Sequence, residues 1–202
     1  MCFGETHSWT TFAIGTFFTL ASLYYAIKKK LPYEYIVLIL YWFSGVTMQL
    51  WEALIHHDYT YNNGKNCETY SKLAYYNNIL QPVILGVLLK RPESLLLVFV
   101  YIMVILKNTA PEKCILYNGQ IDLRWWDNSH NKVLTVGSYF VISILLLLLF
   151  KDKLSVILFI LTYIGSILIY SNKRSGSIWC YFASFIPVVF FINLLFKKNN
   201  IS

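Results

Sequence analysis

The sequence is poor in charge and in closely spaced metal-binding residues. Charged residues make up 13% of the 202 positions, against about 25% in soluble domains. Its four cysteines are far apart in the chain, whereas zinc ligands usually come as close pairs. No basic cluster or RNA-binding motif accompanies the formal charge of +7. We therefore expect no bound metal, no cofactor and no nucleic-acid partner.

Seven uncharged runs dominate the rest of the sequence. They are 13 to 22 residues long, and a helix needs about 20 apolar residues to cross the hydrocarbon of a bilayer. They do not alternate between polar and apolar residues as the strands of a membrane barrel do. The predicted fold is all-α, a single polytopic domain over residues 1–202 that forms a seven-transmembrane-helix bundle. The predicted helices cover about 8–27, 35–55, 73–89, 92–110, 133–150, 154–172 and 177–196.

The positions of the basic residues predict an orientation. Lys and Arg near the ends of membrane helices stay on the cytoplasmic side. Nine of the 17 basic residues lie in the short connections and the tail that follow helices 1, 3, 5 and 7, together with three acidic residues. The sequence therefore predicts that the N-terminus is outside and the C-terminus is cytoplasmic, with the lipid bilayer as the main partner.

One acidic residue, Glu52, falls within a predicted membrane helix. Gln49, Glu52 and His56 share one helical face at i, i+3 and i+7, and Asn78 and Gln81 lie at the matching level of helix 3. An ionisable residue inside a membrane usually has a function, so we expect these five side chains to form a pocket open to the outer side. The alternative interpretation is that they only join helices by hydrogen bonds. His56, beside His57 and Asp58, can also belong to a solvated loop.

All four cysteines lie on the predicted outer side, where oxidation favours disulfides. Four cysteines allow three pairings. We expect Cys2 to pair with Cys180, both at helix ends, and Cys67 to pair with Cys114, both in loops. Free structural thiols and a role in metal binding or catalysis are the alternatives.

Three segments resemble a known family. The chain opens MCFGETHSW, contains MQLWEALIH in helix 2 and closes with SGSIWCYFASFIP. These segments are similar to an uncharacterised family of multi-pass membrane proteins from bacteria and large DNA viruses, which opens MCFS, has Gln-x2-Glu-Gly in helix 2 and carries Trp-Cys in its last helix. The resemblance implies a bacterial, viral or virus-modified host membrane and carries no known activity. Its matching positions are Cys2, Phe3, Gln49, Glu52, Pro82, Trp179 and Cys180.

These observations leave three hypotheses for the function. The first is an integral membrane protein that is not an enzyme and that binds or passes a small solute or cation at the pocket around Glu52. The second is a structural or interaction component of a viral or cellular membrane, which could form an oligomer. The third is a membrane enzyme that uses Glu52 with cysteine or histidine partners.

Overall fold

The computed structural model describes residues 4–108, 115–117, 120–122, 132–170, 179 and 181–197. Within these residues the chain forms seven α-helices, which confirms the predicted all-α class. They are α1 (Glu5–Lys28), α2 (Tyr33–Asn62), α3 (Cys67–Leu88), α4 (Pro92–Asn108), α5 (Lys132–Leu149), α6 (Lys153–Tyr170) and α7 (Ile186–Lys197).

A short β-hairpin lies between α4 and α5, in a segment where a loop is expected from the sequence. Strand β1 (Ile115–Tyr117) pairs antiparallel with β2 (Gln120–Asp122). The dipeptide between the strands in the sequence is Asn118–Gly119, the strongest short-range signal for a two-residue hairpin connection. The hairpin is the one departure from the all-α class among the described residues.

Helix α2 lies between other helices along most of its length. It packs against α1, α3 and α7, while α3 also contacts α4 and α5. Helix α5 in turn contacts α4 and α6. The Trp42 indole of α2 donates a hydrogen bond to the Ser155 hydroxyl of α6 at 3.4 Å. These contacts make α2 the element through which most of the bundle is joined.

Helices α2 and α3 are longer than the apolar runs indicated. From hydropathy, helix 2 is expected to end near residue 55 and helix 3 to begin at residue 73, with a long loop between them. In the structure α2 continues to Asn62, Asn63 adopts a left-handed conformation (φ 53°) and α3 begins at Cys67. The Asp58 carboxylate accepts hydrogen bonds from the Asn66 backbone N–H at 2.7 Å and from its side chain at 3.0 Å. Hydropathy marks only the apolar part of a helix, so it missed these polar turns.

The last predicted helix, 177–196, is interrupted. Trp179 and residues 181–183 are helical, residues 184 and 185 form a turn, and α7 starts at Ile186. Pro187 explains the break, because a proline inside a helix clashes with the carbonyl of the residue four positions earlier, whereas the first turn of a helix tolerates it.

Three short turns lie together at one end of the bundle. The Lys90 ammonium group, between α3 and α4, lies 5.4 Å from the centre of the Tyr33 ring at the start of α2. Arg91 donates a hydrogen bond to the carbonyl of Leu149 at the end of α5, at 2.8 Å. Each of the α1–α2, α3–α4 and α5–α6 turns contains a lysine with φ between 51° and 57°: Lys30, Lys90 and Lys151. Three of the four basic segments that the sequence assigned to one side therefore lie at the same end of the bundle.

The described residues combine buried hydroxyl groups with a surface rich in large apolar side chains. No serine in the described part of the chain is exposed, and all of them except Ser138, which is half-buried, are buried. Large apolar side chains cover the outside instead, with Phe17 65% exposed and Leu168 78% exposed. Two helices, α1 and α2, are long and apolar enough by length and composition to cross a membrane, and shorter apolar stretches lie in α5, in α6 and in the segment Tyr181–Phe196 that contains α7.

Candidate functional site

The face of α1 that packs against the bundle consists only of small residues at intervals of three or four. Gly15 shows how close the helices come: a Cβ atom added there would lie 2.7 Å from a methyl carbon of Val46 and 3.0 Å from the Ser184 carbonyl oxygen. Small residues allow helix backbones to approach in this way. The buried residues of this face are Ser8, Thr11, Gly15, Thr19, Ser22 and Ala26.

This close approach brings Thr11 of α1 onto a polar pair of α2. The Thr11 hydroxyl donates a hydrogen bond to Oε1 of Gln49 at 3.0 Å. Nε2 of Gln49 donates to Oε2 of Glu52 at 2.9 Å. All three side chains are buried, and Glu52 is only 1% exposed. Thr11, Gln49 and Glu52 thus form a continuous hydrogen-bonded chain, which we call the Glu52 chain.

His56 lies one helical turn beyond Glu52, at the end of the bundle opposite the basic turns. It is half-buried, and its Nε2 atom is buried without a hydrogen-bond partner among the described residues. The neighbouring His57 instead lies within hydrogen-bond distance of Glu5 of α1, with Nδ1 and Oε1 2.8 Å apart. Within the described residues, no group of three or more His, Cys, Asp or Glu side chains could hold a metal ion.

The other two predicted pocket residues belong to α3 and lie against a different face of α2. Nε2 of Gln81 donates to the Ser44 carbonyl at 3.4 Å, and Oε1 of Gln81 accepts a hydrogen bond from the Tyr139 hydroxyl of α5. The same Ser44 carbonyl accepts a bond from Asn77 at 2.9 Å. Ser44 precedes Glu52 by eight residues, about 12 Å along the helix axis. Gln81 therefore connects helices α2, α3 and α5.

Asn78 is buried, and its Oδ1 atom has no hydrogen-bond partner in the part of the chain that the structure describes. Of the five residues predicted to share a pocket, Gln49 and Glu52 are joined by a hydrogen bond in the described part of the chain. Sequence reasoning missed Thr11 and Tyr139. The signal for Thr11 was present in the spacing of small residues along helix 1, whereas nothing in the sequence indicated that Tyr139 faces Gln81.

Cys67 occupies the first turn of α3, beside the connection to α2. It is buried. Cys2, Cys114 and Cys180 lie outside the described residues, so no complete pair is shown. The predicted pairings therefore remain predictions.

Comparison of the chain with protein-family models, with curated proteins and with solved structures gave no match.

Proposed function

We propose that this chain is a multi-pass integral membrane protein whose seven helices all cross the bilayer. The distribution of side chains supports this proposal. In water, serine is mostly exposed and large apolar side chains are mostly inside. In lipid the outer faces are apolar, and small or hydroxyl-bearing residues pack between helices. On α1, α4, α5 and α6 the outer faces are apolar and small or hydroxyl-bearing residues face the neighbouring helices, as in proteins in lipid.

The position of the basic turns supports a cytoplasmic location for that end of the bundle. The opposite end carries the contact between Glu5 and His57 and also Cys67, and the disulfide that we propose for Cys67 would persist in an oxidising compartment. On this orientation the N-terminus is outside. The proposed pairings, Cys2 with Cys180 and Cys67 with Cys114, would then join outer segments to each other.

The function we propose is the binding or passage of a proton or another small cation at Glu52. The observation that carries it is the complete burial of this carboxyl in the Glu52 chain. Glu52 lies 19 residues beyond the start of α2, about 28 Å along the axis, which is near the outer boundary of hydrocarbon about 30 Å thick. An acid at that depth is expensive to keep charged and is usually functional.

Gln49 allows the Glu52 chain to form its hydrogen bonds with the Glu52 side chain either protonated or deprotonated. In the orientation described, its amide NH2 donates to the Glu52 carboxylate. Rotating the amide by 180° would instead present its carbonyl oxygen, which accepts a hydrogen bond from a protonated carboxyl. The Thr11 hydroxyl can act as donor or acceptor, so it matches both orientations. Gaining and losing a proton at Glu52 therefore requires no movement of the helices.

Glu52→Gln tests the proposal because it keeps the shape of the side chain and removes its charge. The assay is cation and proton entry into liposomes that contain the purified full chain, driven by a potassium diffusion potential. We expect the flux to fall at least about tenfold, because the carboxyl is the group that exchanges the ion. The matched control is Glu68→Gln, the same chemical change at an acid that is 63% exposed and paired with Lys72, and it should leave the flux unchanged.

Two results would count against this function. One is a flux through the wild-type protein no greater than that of protein-free liposomes. The other is an equal flux through wild type and Glu52→Gln. Either result, obtained with protein that is folded by gel filtration, would favour the structural hypothesis, in which the polar side chains only join helices.

A further inference from the structure

The three basic turns at one end of the bundle share an unusual backbone feature. Each contains a lysine in the left-handed conformation, and the backbone N–H of that lysine donates to the carbonyl of the residue three positions earlier. Helices usually end in this way with glycine, because a side chain at positive φ is strained. The lysines are Lys30 after α1, Lys90 after α3 and Lys151 after α5. A strained lysine in three separate turns indicates that its charge has a use at this end.

These lysines belong to a larger positively charged surface. Its seven basic side chains are Lys28, Lys29, Lys30, Lys90, Arg91, Lys151 and Lys153. All six lysines are exposed, and within the described residues none of the seven side chains forms an ion pair with an acid. Three acidic residues, Glu34, Glu93 and Asp152, lie in or just after the same turns. The surface, which we call the basic end, therefore has an excess of four positive charges.

Two tyrosines mark the level of the membrane surface at the basic end. The Lys28 ammonium group lies 5.5 Å from the centre of the Tyr24 ring, and that of Lys90 lies 5.4 Å from the centre of the Tyr33 ring. Tyr24 is 65% exposed and Tyr33 is 46% exposed. Exposed tyrosines of membrane helices are enriched at the interface, where their rings lie at the level of the lipid headgroups. The lysines beside them therefore lie at the level of the lipid phosphates.

An exposed apolar side chain also lies close to each left-handed lysine. The carbonyls that accept the hydrogen bonds from these lysines belong to Ile27, Val87 and Leu148. Their side chains are 61%, 48% and 52% exposed, respectively. An ammonium group within one helical turn of an exposed apolar side chain suits a molecule with an anionic head and a hydrocarbon chain. Free phosphate would use the lysine alone, so the repeated arrangement favours a lipid.

We propose that the basic end binds the phosphate groups of anionic phospholipids. Its excess positive charge complements the negative charge of these lipids, which attract lysine and arginine near the membrane surface. Each lysine ammonium can donate hydrogen bonds to phosphate oxygens, while the acyl chains lie against the exposed apolar side chains. This inference rests on the proposed location of the chain in a membrane and is independent of ion passage at Glu52.

Thermal unfolding of the purified full chain tests the proposal. The protein is kept in an uncharged detergent, and phosphatidylglycerol or phosphatidylcholine with the same acyl chains is added. We expect phosphatidylglycerol to raise Tm by about 3 °C or more above the value with phosphatidylcholine, because a ligand that binds only the folded state stabilises it. Salt at about 1 M should remove this difference by screening the charges. Glycerol phosphate, which lacks acyl chains, should give no shift.

A triple variant identifies the lysines responsible. Lys30→Gly/Lys90→Gly/Lys151→Gly removes three charges and also the backbone strain, since glycine adopts a positive φ freely. Without lipid we expect this variant to unfold at a temperature no lower than that of the wild type. With phosphatidylglycerol it should lose at least about half of the Tm shift, because each lysine near anionic lipid contributes separately to the attraction.

The matched control removes three charges from the opposite end of the bundle. Lys65→Gln/Lys72→Gln/Lys107→Gln changes three exposed lysines and should keep the shift with phosphatidylglycerol. Equal losses in the two triple variants would overturn the proposal, because the lipid would then respond only to net charge. Equal shifts with the two lipids, or an equal shift with glycerol phosphate, would also overturn it. None of these results bears on the flux assay at Glu52, so the two proposals can fail separately.

Discussion

The contact between Gly15 of α1 and Val46 of α2 can be tested by a single methyl group. In Gly15→Ala the new Cβ would lie 2.7 Å and 2.8 Å from the two methyl carbons of Val46 and 3.0 Å from the Ser184 carbonyl oxygen. A β-branched side chain in a helix has essentially one χ1 rotamer, and the carbonyl belongs to the backbone. Neither neighbour can move away without shifting a helix.

The magnitude follows from two opposing effects. Overpacking a well-packed interior costs typically about 1–3 kcal/mol, whereas replacing glycine by alanine inside a helix gains roughly 0.5–1 kcal/mol. We expect Gly15→Ala to lose about 0.5–2 kcal/mol of unfolding free energy. For a chain of this length each kcal/mol lowers Tm by about 2–4 °C. The assay is thermal unfolding of the purified protein in detergent, read by intrinsic tryptophan fluorescence.

Gly45 provides a matched control within α2. A Cβ added at Gly45 meets nothing within 4 Å, so Gly45→Ala should keep or slightly raise the Tm. In the double variant Gly15→Ala/Val46→Ala, removal of the Val46 methyls should recover part of the loss, giving a favourable coupling energy of about 0.5–3 kcal/mol. A Gly15→Ala protein as stable as Gly45→Ala would refute the close approach of α1 and α2.

Three further predictions concern the two ends of the bundle. Asp58→Ala should lower the unfolding free energy by about 1–3 kcal/mol, measured in the same thermal assay, because the buried Asp58 carboxylate no longer accepts the two hydrogen bonds from Asn66 that hold the α2–α3 connection. Alkylation of the unfolded protein without reductant should leave Cys67 unmodified and modify it after reduction, as peptide mass spectrometry would show; modification in both samples would rule out the disulfide. For the orientation, a membrane-impermeant maleimide added outside intact cells should label Lys65→Cys and not Lys29→Cys beyond the parent background, and the reverse result would invert the proposed topology.

The helices were predictable from sequence where their limits coincide with a change in hydropathy. α1, α4, α5 and α6 begin within about three residues of their expected starts, because charged or proline-containing turns separate them. The end of α2 was not predictable from hydropathy. Polar turns can continue a helix beyond its apolar part where capping satisfies the terminal backbone groups, as it does at Asp58 and Asn63. Pro187 indicates from the sequence that the last helix is interrupted. The position of the break depends on which backbone carbonyls lose their hydrogen bonds because of the proline.

The candidate site was predictable only in part. Glu52 and Gln49 share a helical face by periodicity, and the structure joins them by a hydrogen bond. Their partner in α1 depends on how closely two helices approach, which is a property of the packed pair. Gln81 bonds to Ser44 and Tyr139, and its membership of the pocket around Glu52 stays a prediction.

The sequence by itself determined the helical class, the grouping of basic residues on alternate connections and the presence of one acid within an apolar run. These properties depend on composition and spacing along the chain, which hydropathy and helical periodicity reveal directly. Only the tertiary structure decided that Thr11 completes the Glu52 chain and that Gln81 bonds to Tyr139 of α5. Contacts of this kind join residues from different helices, and the rotation and separation of packed helices depend on many side chains acting together.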